Sequence, residues 1–282
     1  MKKKMKVIIG IYVAAILIYL GVLGFSMISD ARERQELARL AELTQATTSA
    51  VTIASTEPAP TETTLPTEPE PTRSPDEKPL ILDTYQALYE KTPDVAGWLK
   101  IGDTVIDYPV MYTPQDPEYY LNRDFDGNDS KRGLLFVDFR SNIWPMSTNV
   151  MIHGHNMKDG SMFSALRHYD SESFFKDHQT IQFDTIYETG TYEVFAVLVT
   201  ELIPADQEGF RYYTFYDAKD QDDFDSYISD LREHARFTTD EVPKYGDQLL
   251  SLSTCSYHVP GDNGRIVIFA RRVGQGGPTF AD

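Results

Sequence analysis

The sequence contains a single cysteine, Cys255, in the stretch LLSLSTCSYH at residues 249–258. A lone cysteine cannot form an internal disulfide, so it is a buried apolar residue, a surface residue without a role, or a reactive thiol. A thiol attacks a carbonyl group as the thiolate, which needs a neighbouring base or cation. The oxyanion that then forms needs donors that keep their charge. Histidine and arginine are therefore the side chains to look for.

An arginine follows Cys255 at a spacing that would bring the two side chains together. Cys255 ends the apolar, strand-like run QLLSLST, and the next such run, RIVIFARRV, begins at Arg265. If the two runs pair as antiparallel strands, their adjoining ends lie at the same rim. Arg265 is thus placed to stabilise an oxyanion, whereas Arg271 and Arg272, at the far end of the same run, are expected to form a solvated strand end.

Two of the six histidines, His153 and His155, stand together in VMIHGHNMKDGSMF. His155 follows an apolar run directly after Gly154, the same kind of location as that of Cys255. Strand geometry alone does not choose between His153 and His155 as the base. His258 is a rival, because it is close to Cys255 in sequence, although it lies in a turn-rich connection.

The same two histidines allow a different chemistry. One strand can present an H-x-H pair as two metal ligands, and a carboxylate such as Asp138 or Asp159 could complete a zinc site. The sequence contains no H-E-x-x-H motif, so a zinc hydrolase is the less favoured interpretation.

Short apolar or alternating runs separated by Gly, Pro, Asn and Asp predict a mainly β domain, closed or nearly closed into a barrel. A short amphipathic helix is predicted before the strands and a longer one before the cysteine run, because apolar residues recur there at helical spacing. The apolar positions are Leu82, Tyr85, Leu88 and Tyr89 in the first helix, and Phe224, Tyr227, Ile228 and Leu231 in the second.

The N-terminal region predicts a membrane anchor. Residues 7–29 contain no charged side chain and are long enough to cross a bilayer as a helix. Four lysines among residues 1–6 predict a cytoplasmic tail and place the remaining chain outside the cell. An uncleaved anchor is favoured over a cleaved signal, since no A-x-A site follows the run.

The net charge of −17 excludes a nucleic-acid partner, because no basic stripe is present.

Changes in amino-acid composition divide the rest of the chain into three predicted segments. Residues 30–79 are predicted to form a helical stalk and then, from about Thr44, a disordered tether rich in Thr, Pro and Glu. A cell-wall spacer and a glycosylated stalk both fit this composition. Residues 80–275 form the predicted extracellular domain, and residues 276–282 a flexible tail.

The motif SLSTC, with an arginine ten positions later and IHGHNMKDGSMF upstream, resembles the sortases. These are membrane-anchored cysteine transpeptidases of Gram-positive bacteria. Their signature is close to TLxTC, so Ser251 stands where threonine is usual. The stretch DYPVMYTPQDPEYYLNRDFDGNDSKRGLLFVDFR and the two predicted helices are most similar to class B. The resemblance covers residues 85–273.

The resemblance implies a fold and a set of roles. The fold is an eight-stranded β-barrel with an N-terminal helix and one long helix before the cysteine strand. Cys255 is implied as the nucleophile, and His155 as the acid for the leaving amine and the later base for the incoming one. Arg265 is implied to stabilise the oxyanion. Ser253 and Ser256 are candidate substrate contacts, and no metal or cofactor is implied.

The implied partners are a sorting-signal peptide of secreted proteins, cleaved after threonine, and an amine acceptor. Class B enzymes often act on signals of the Asn-Pro-x-Thr type, and the acceptor is an amine of the cell-wall precursor or a pilin lysine. The alternative from another class of function is a barrel that only binds a ligand at the cell surface. Cys255→Ala separates the two, because only an acyl-transfer enzyme depends on the thiol.

Overall fold

A computed structural model describes residues 2–54, 78–204, 206–256, 263–275 and 278. It divides into two units, Met1–Leu43 and Thr44–Asp282, of which the second contains the β domain. The chain begins with helix α1 (Lys2–Ala54). Within the described residues one helical stretch, Ala15–Gln45, is long and apolar enough to cross a membrane.

The end of α1 differs from the predicted start of the tether. The helix continues from Thr44 to Ala54, because the first proline of the Thr-rich segment comes only at Pro58 and the preceding residues can all adopt helical geometry. The remaining part of the predicted tether, residues 55–77, lies outside the described residues. So does the predicted C-terminal tail, apart from Pro278.

The second unit contains nine strands and three α-helices among its described residues. The strands are β1 (Val95–Ile101), β2 (Asp107–Met111), β3 (Leu135–Val137), β4 (Asn149–His153), β5 (Thr180–Thr185), β6 (Gly190–Glu201), β7 (Phe237–Thr238), β8 (Leu249–Cys255) and β9 (Gly264–Gln275). The helices are α2 (Asp83–Lys91), α3 (Glu172–Asp177) and α4 (Gln221–His234). Short 3-10 helices are found at Tyr119–Asn122, Phe163–Asp170 and Tyr212–Thr214.

Eight of the strands close into a barrel. The order around it is β5-β1-β2-β3-β4-β8-β9-β6, and β6 pairs in turn with β5. The two-residue β7 pairs with β6 outside this ring. Two neighbouring pairs are parallel, β2 with β3 and β4 with β8. The predicted eight-stranded barrel is confirmed.

Helix α4 covers one side of the barrel, as its apolar spacing predicts. Phe224, Tyr227, Ile228 and Leu231 are all buried and share a core with residues of β4, β6, β8 and β9. Each such side chain contributes roughly 1.5–3 kcal/mol through burial. The N-cap residue of the helix is Asp220, whose carboxylate accepts a hydrogen bond from the Asp223 amide. The helix before the strands, α2, buries Tyr85 and Leu88.

The far end of β9 corrects one expectation. Arg272 is not solvated: its guanidinium lies 3.0 Å from Glu188, and both side chains are at most 10% exposed. A buried pair of this kind forms because each charge compensates the other away from water. Arg271 points instead toward Glu241 and Asp247, each at 3.8 Å.

Candidate active site

The parallel pairing of β4 and β8 determines where the candidate catalytic residues lie. In this register His153 is opposite Ser253, so His155 and Cys255 each follow two residues later at the same rim of the barrel. Two hydrogen bonds continue the pairing past the strand ends. The Gly154 amide donates to the Ser253 carbonyl at 3.3 Å, and the Thr254 hydroxyl donates to the Gly154 carbonyl at 2.7 Å.

Strand β9 brings the arginine to this rim. Cys255 pairs with Arg265 at the end of the antiparallel β8–β9 ladder, and the Ser256 amide then donates to the Gly264 carbonyl at 2.8 Å. The thiol is half-buried. The connection that follows, residues 257–262 with His258, lies outside the described residues.

Cys255, His155 and Arg265 line one cleft of about 460 Å³. This volume falls in the range of small-molecule and cofactor sites. The cleft is also lined by the segment around the first 3-10 helix and by the end of β3. Its lining includes Glu118, Leu121, Phe136, Asp138 and Arg140.

The imidazole of His155 is oriented by a backbone carbonyl. Its Nε2 atom lies 2.9 Å from the Leu121 oxygen, and a carbonyl oxygen only accepts hydrogen bonds. Nε2 therefore carries a proton, and Nδ1 is the nitrogen that can gain or lose one. Leu121 is held in place because Gly133, at φ +57°, packs against it; a Cβ atom there would lie 2.7 Å from the Tyr120 oxygen.

Asn156 is a site residue that the sequence analysis missed. Its side-chain amide donates to the carbonyl of Cys255 at 2.9 Å, and only 7% of the residue is exposed. It thereby ties the histidine loop to the cysteine strand. The available signal was its position directly after His155, but nothing in the sequence shows which way its amide points.

The second histidine of the pair has a different partner. Nε2 of His153 lies 3.0 Å from a carboxylate oxygen of Asp138. Arg140 donates three further bonds to that carboxylate, two from its guanidinium at 2.9 and 2.8 Å and one from its backbone amide at 3.0 Å. Burial alone would raise the pKa of Asp138, but the hydrogen bonds from Arg140 and His153 outweigh it and hold the pKa well below its usual range.

These partners do not form the zinc site that the H-x-H pair could have formed. His153 and His155 bind different oxygens, and Asp159 is paired with Arg132 at 3.0 Å. Within the part of the chain that the structure describes, no group of three or more His, Cys, Asp or Glu side chains is arranged to hold a metal ion.

The two serines beside the thiol have unlike surroundings. Ser253 is 2% exposed, and its hydroxyl lies 2.9 Å from the hydroxyl of Tyr212, within the cleft wall. Burial raises the pKa of Tyr212, so this phenol is neutral at physiological pH. Ser256 is half-buried at the point where the undescribed connection begins. A substrate contact by either serine stays a prediction.

A comparison with known protein families identifies the family of this domain. The sortase domain model matches residues 99–273, which include all three candidate catalytic residues. The chain belongs to the sortase family. Sortase B of Listeria monocytogenes is 32% identical over 193 residues, covering 68% of this chain and 75% of that protein.

Solved structures agree with this assignment. Sortase B from Bacillus anthracis in complex with AAEK1 has a TM-score of 0.61 at 32% identity, covering 71% of this chain and 88% of that one. A Staphylococcus aureus sortase B–substrate complex has a TM-score of 0.70 at 22% identity and shows the same fold, covering 88% of this chain and 100% of that one. The chain is thus a class B sortase, an enzyme of the transpeptidase type.

Proposed function

We propose that this sortase cleaves the C-terminal sorting signal of secreted proteins after a threonine and transfers the acyl group to an amine of the cell-wall precursor. One observation carries the proposal: Cys255, His155 and Arg265 line a single cleft at one rim of the barrel. The Staphylococcus aureus relative is named as a sortase B–substrate complex, which supports a substrate-binding role for a domain of this fold.

The first half-reaction makes a thioester. The thiolate of Cys255 attacks the threonine carbonyl, and Arg265 stabilises the oxyanion that forms. The peptide C–N bond breaks, and its electron pair goes to the leaving amine. Nδ1 of His155 donates the proton that this amine needs, because Nε2 is occupied by the Leu121 carbonyl.

The second half-reaction transfers the acyl group. An amine attacks the thioester carbonyl, the C–S bond breaks, and Cys255 leaves as a thiolate. Neutral His155 takes up one proton and returns to the form that began the cycle. Asn156 holds the Cys255 carbonyl throughout, so the sulfur keeps its position relative to the histidine loop.

The apolar N-terminal helix has the length and composition of a membrane anchor. In the proposal it spans the membrane with the lysine-rich terminus in the cytoplasm and the barrel outside. Substrate and a lipid-linked acceptor are both concentrated at the outer membrane face, so anchoring raises the rate at which the enzyme meets them.

The test uses the full-length protein in detergent micelles with a fluorogenic peptide library of the Asn-Pro-x-Thr type. Triglycine and a lysine-containing pilin-like peptide serve as alternative acceptors, and products are identified by mass. The proposal predicts an amide of triglycine, absent with Cys255→Ala and at least about 100-fold slower to form with His155→Gln. His168→Gln is the matched control, because His168 is exposed and outside the cleft.

Other results would point elsewhere. Amide formation with the lysine peptide alone would favour the pilin-polymerising alternative. A free acid as the sole product would identify a peptidase. No cleavage of any library member, together with a Cys255 thiol that a small alkylating probe does not modify, would favour a barrel that only binds its ligand.

A further inference from the structure

The cleft contains a second histidine for which the two half-reactions have given no role. His153 lines the same cleft as Cys255 and His155, and 27% of its side chain is exposed. It lies opposite Ser253 in the β4–β8 register. Two residues of extended strand separate Ser253 from Cys255, roughly 7 Å along the barrel wall. A small amine bound at the thioester therefore shares one cleft with this side chain, and a single bridging water could carry a proton between them.

The ring of His153, like that of His155, is oriented by a hydrogen bond at Nε2. Asp138 stays ionised, because its hydrogen bonds keep its pKa well below the usual range. An ionised carboxylate only accepts hydrogen bonds, so Nε2 of His153 carries a proton and Nδ1 is left for proton exchange. The Phe136 ring packs at 5.5 Å from the imidazole and fixes its tilt. No described residue forms a hydrogen bond with Nδ1.

Acyl transfer to an ammonium ion releases two protons, so it requires a second proton acceptor besides His155. A primary amine with a pKa of about 8 to 10.4 arrives at neutral pH mostly as an ammonium ion. It loses one proton before it can attack and a second from the tetrahedral intermediate, whereas Cys255 leaves as a thiolate and needs none. His155 gave up one proton in the first half-reaction, so it can accept only one of the two.

We infer that Nδ1 of His153 accepts the other proton, from the ammonium form of the incoming amine, and releases it to solvent. Asp138 holds the tautomer and stabilises the imidazolium that forms, as the carboxylate does in a catalytic triad. Arg140 keeps Asp138 ionised through the two hydrogen bonds of its guanidinium and the one of its backbone amide. This inference rests on the proposed function and adds to it a second catalytic base that serves the acceptor alone.

The other charged groups of the cleft are less suited to the task. Arg265 and Arg140 are cations that do not accept protons near neutral pH. Among the described residues that line the cleft, Glu118 is the one carboxylate besides Asp138, and it is the competing base. Its contribution can be tested separately, because Glu118→Gln leaves the Asp138–His153 pair intact.

The experiment compares His153→Gln with the parent enzyme, both full-length in micelles. The substrates are those members of the same peptide library that the parent enzyme cleaves. Thioacyl formation is followed by rapid-quench intact mass, and its breakdown by two acceptors, triglycine and hydroxylamine. Hydroxylamine is largely unprotonated at neutral pH and has no ammonium proton to lose before it attacks. His168→Gln and Glu118→Gln are the comparison variants.

The expected result is a defect confined to one acceptor. With His153→Gln, thioacyl formation stays within about twofold of the parent enzyme, breakdown by triglycine falls by about 10- to 100-fold, and breakdown by hydroxylamine is unchanged. An equal loss with both acceptors, no loss with either, or a triglycine defect that appears in Glu118→Gln instead would overturn the inference. A parent enzyme that forms no thioacyl adduct would contradict the proposed function itself.

Discussion

Cys255 lies directly opposite Arg265 at the end of the antiparallel β8–β9 ladder. The pairing is made by backbone hydrogen bonds, so the relative position of thiol and guanidinium is determined by the barrel and not by a flexible loop. Both residues also line the cleft that contains His155. The strand register therefore places the proposed nucleophile and the proposed oxyanion donor side by side.

Replacing Arg265 tests this relationship. Arg265→Gln is expected to lower kcat/KM by about 100- to 1,000-fold, because a developing oxyanion loses a charged donor. Arg265→Lys should retain only part of the parent kcat/KM, since an ammonium group lacks the planar pair of N–H donors of a guanidinium. Steady-state cleavage of the library peptides measures both. Arg271→Gln, at the far end of the same strand and opposite Leu249, is the control, and a similar loss there would refute a specific role for Arg265.

Asn156 is expected to affect catalysis by positioning Cys255. Asn156→Ala removes the 2.9 Å bond to the Cys255 carbonyl, which should cost about 1 kcal/mol of unfolding free energy and lower kcat by roughly tenfold through misplacement of the reacting atoms. Denaturant unfolding and peptide cleavage measure the two effects. A variant that loses stability but keeps the parent kcat would show that the bond has no part in catalysis.

Gly154 separates the two histidines and leaves no space for a side chain. A Cβ atom there would fall against Leu135 and lie 2.8 Å from a ring carbon of Phe163. Gly154→Ala is therefore expected to lower the unfolding free energy by about 1–3 kcal/mol and to reduce activity by shifting His155. Gly102→Ala, where no atom lies within 4 Å of the added Cβ, is the matched control. Equal behaviour of the two variants would contradict the packing argument.

Asp138 should make stability depend on pH. Its pKa is lowered in the folded state, so the ionised group stabilises the fold above its unfolded pKa, and this contribution declines as the pH falls below about 5. Asp138→Asn is expected to unfold more readily at pH 7 and to lose less stability between pH 7 and pH 4 than the parent. Asp126→Asn, which changes an exposed carboxylate, should keep the parent's pH dependence. Parallel pH curves for Asp138→Asn and the parent would contradict the assignment.

Much of the barrel was predictable because most of its strands are apolar runs bounded by turn residues. Strand β1 gives no such pattern in the sequence, since its residues are buried on both faces and show no alternation. Gly97 also interrupts it, where a side chain would collide with the Asp184 carbonyl. Strand β7 has only two residues, too few to give a pattern.

The candidate site was predictable where backbone pairing determines it. The Cys255–Arg265 relationship follows from two consecutive strand-like runs. The carbonyl partner of His155, the amide of Asn156 and the carboxylate partner of His153 depend on segments far apart in the chain. Leu121 and His155, for example, are brought together by the packing of Gly133 against the 3-10 helix. No local pattern in the sequence reports such contacts.

The most direct test of the account is the intact mass of the full-length enzyme quenched during turnover of an Asn-Pro-x-Thr peptide. A thioacyl-enzyme mechanism predicts a mass increase equal to the acyl fragment ending in threonine, located on Cys255 by peptide mapping, removed by hydroxylamine and absent in Cys255→Ala. Cleavage of the peptide without any adduct on Cys255, or cleavage that persists in Cys255→Ala, would contradict it.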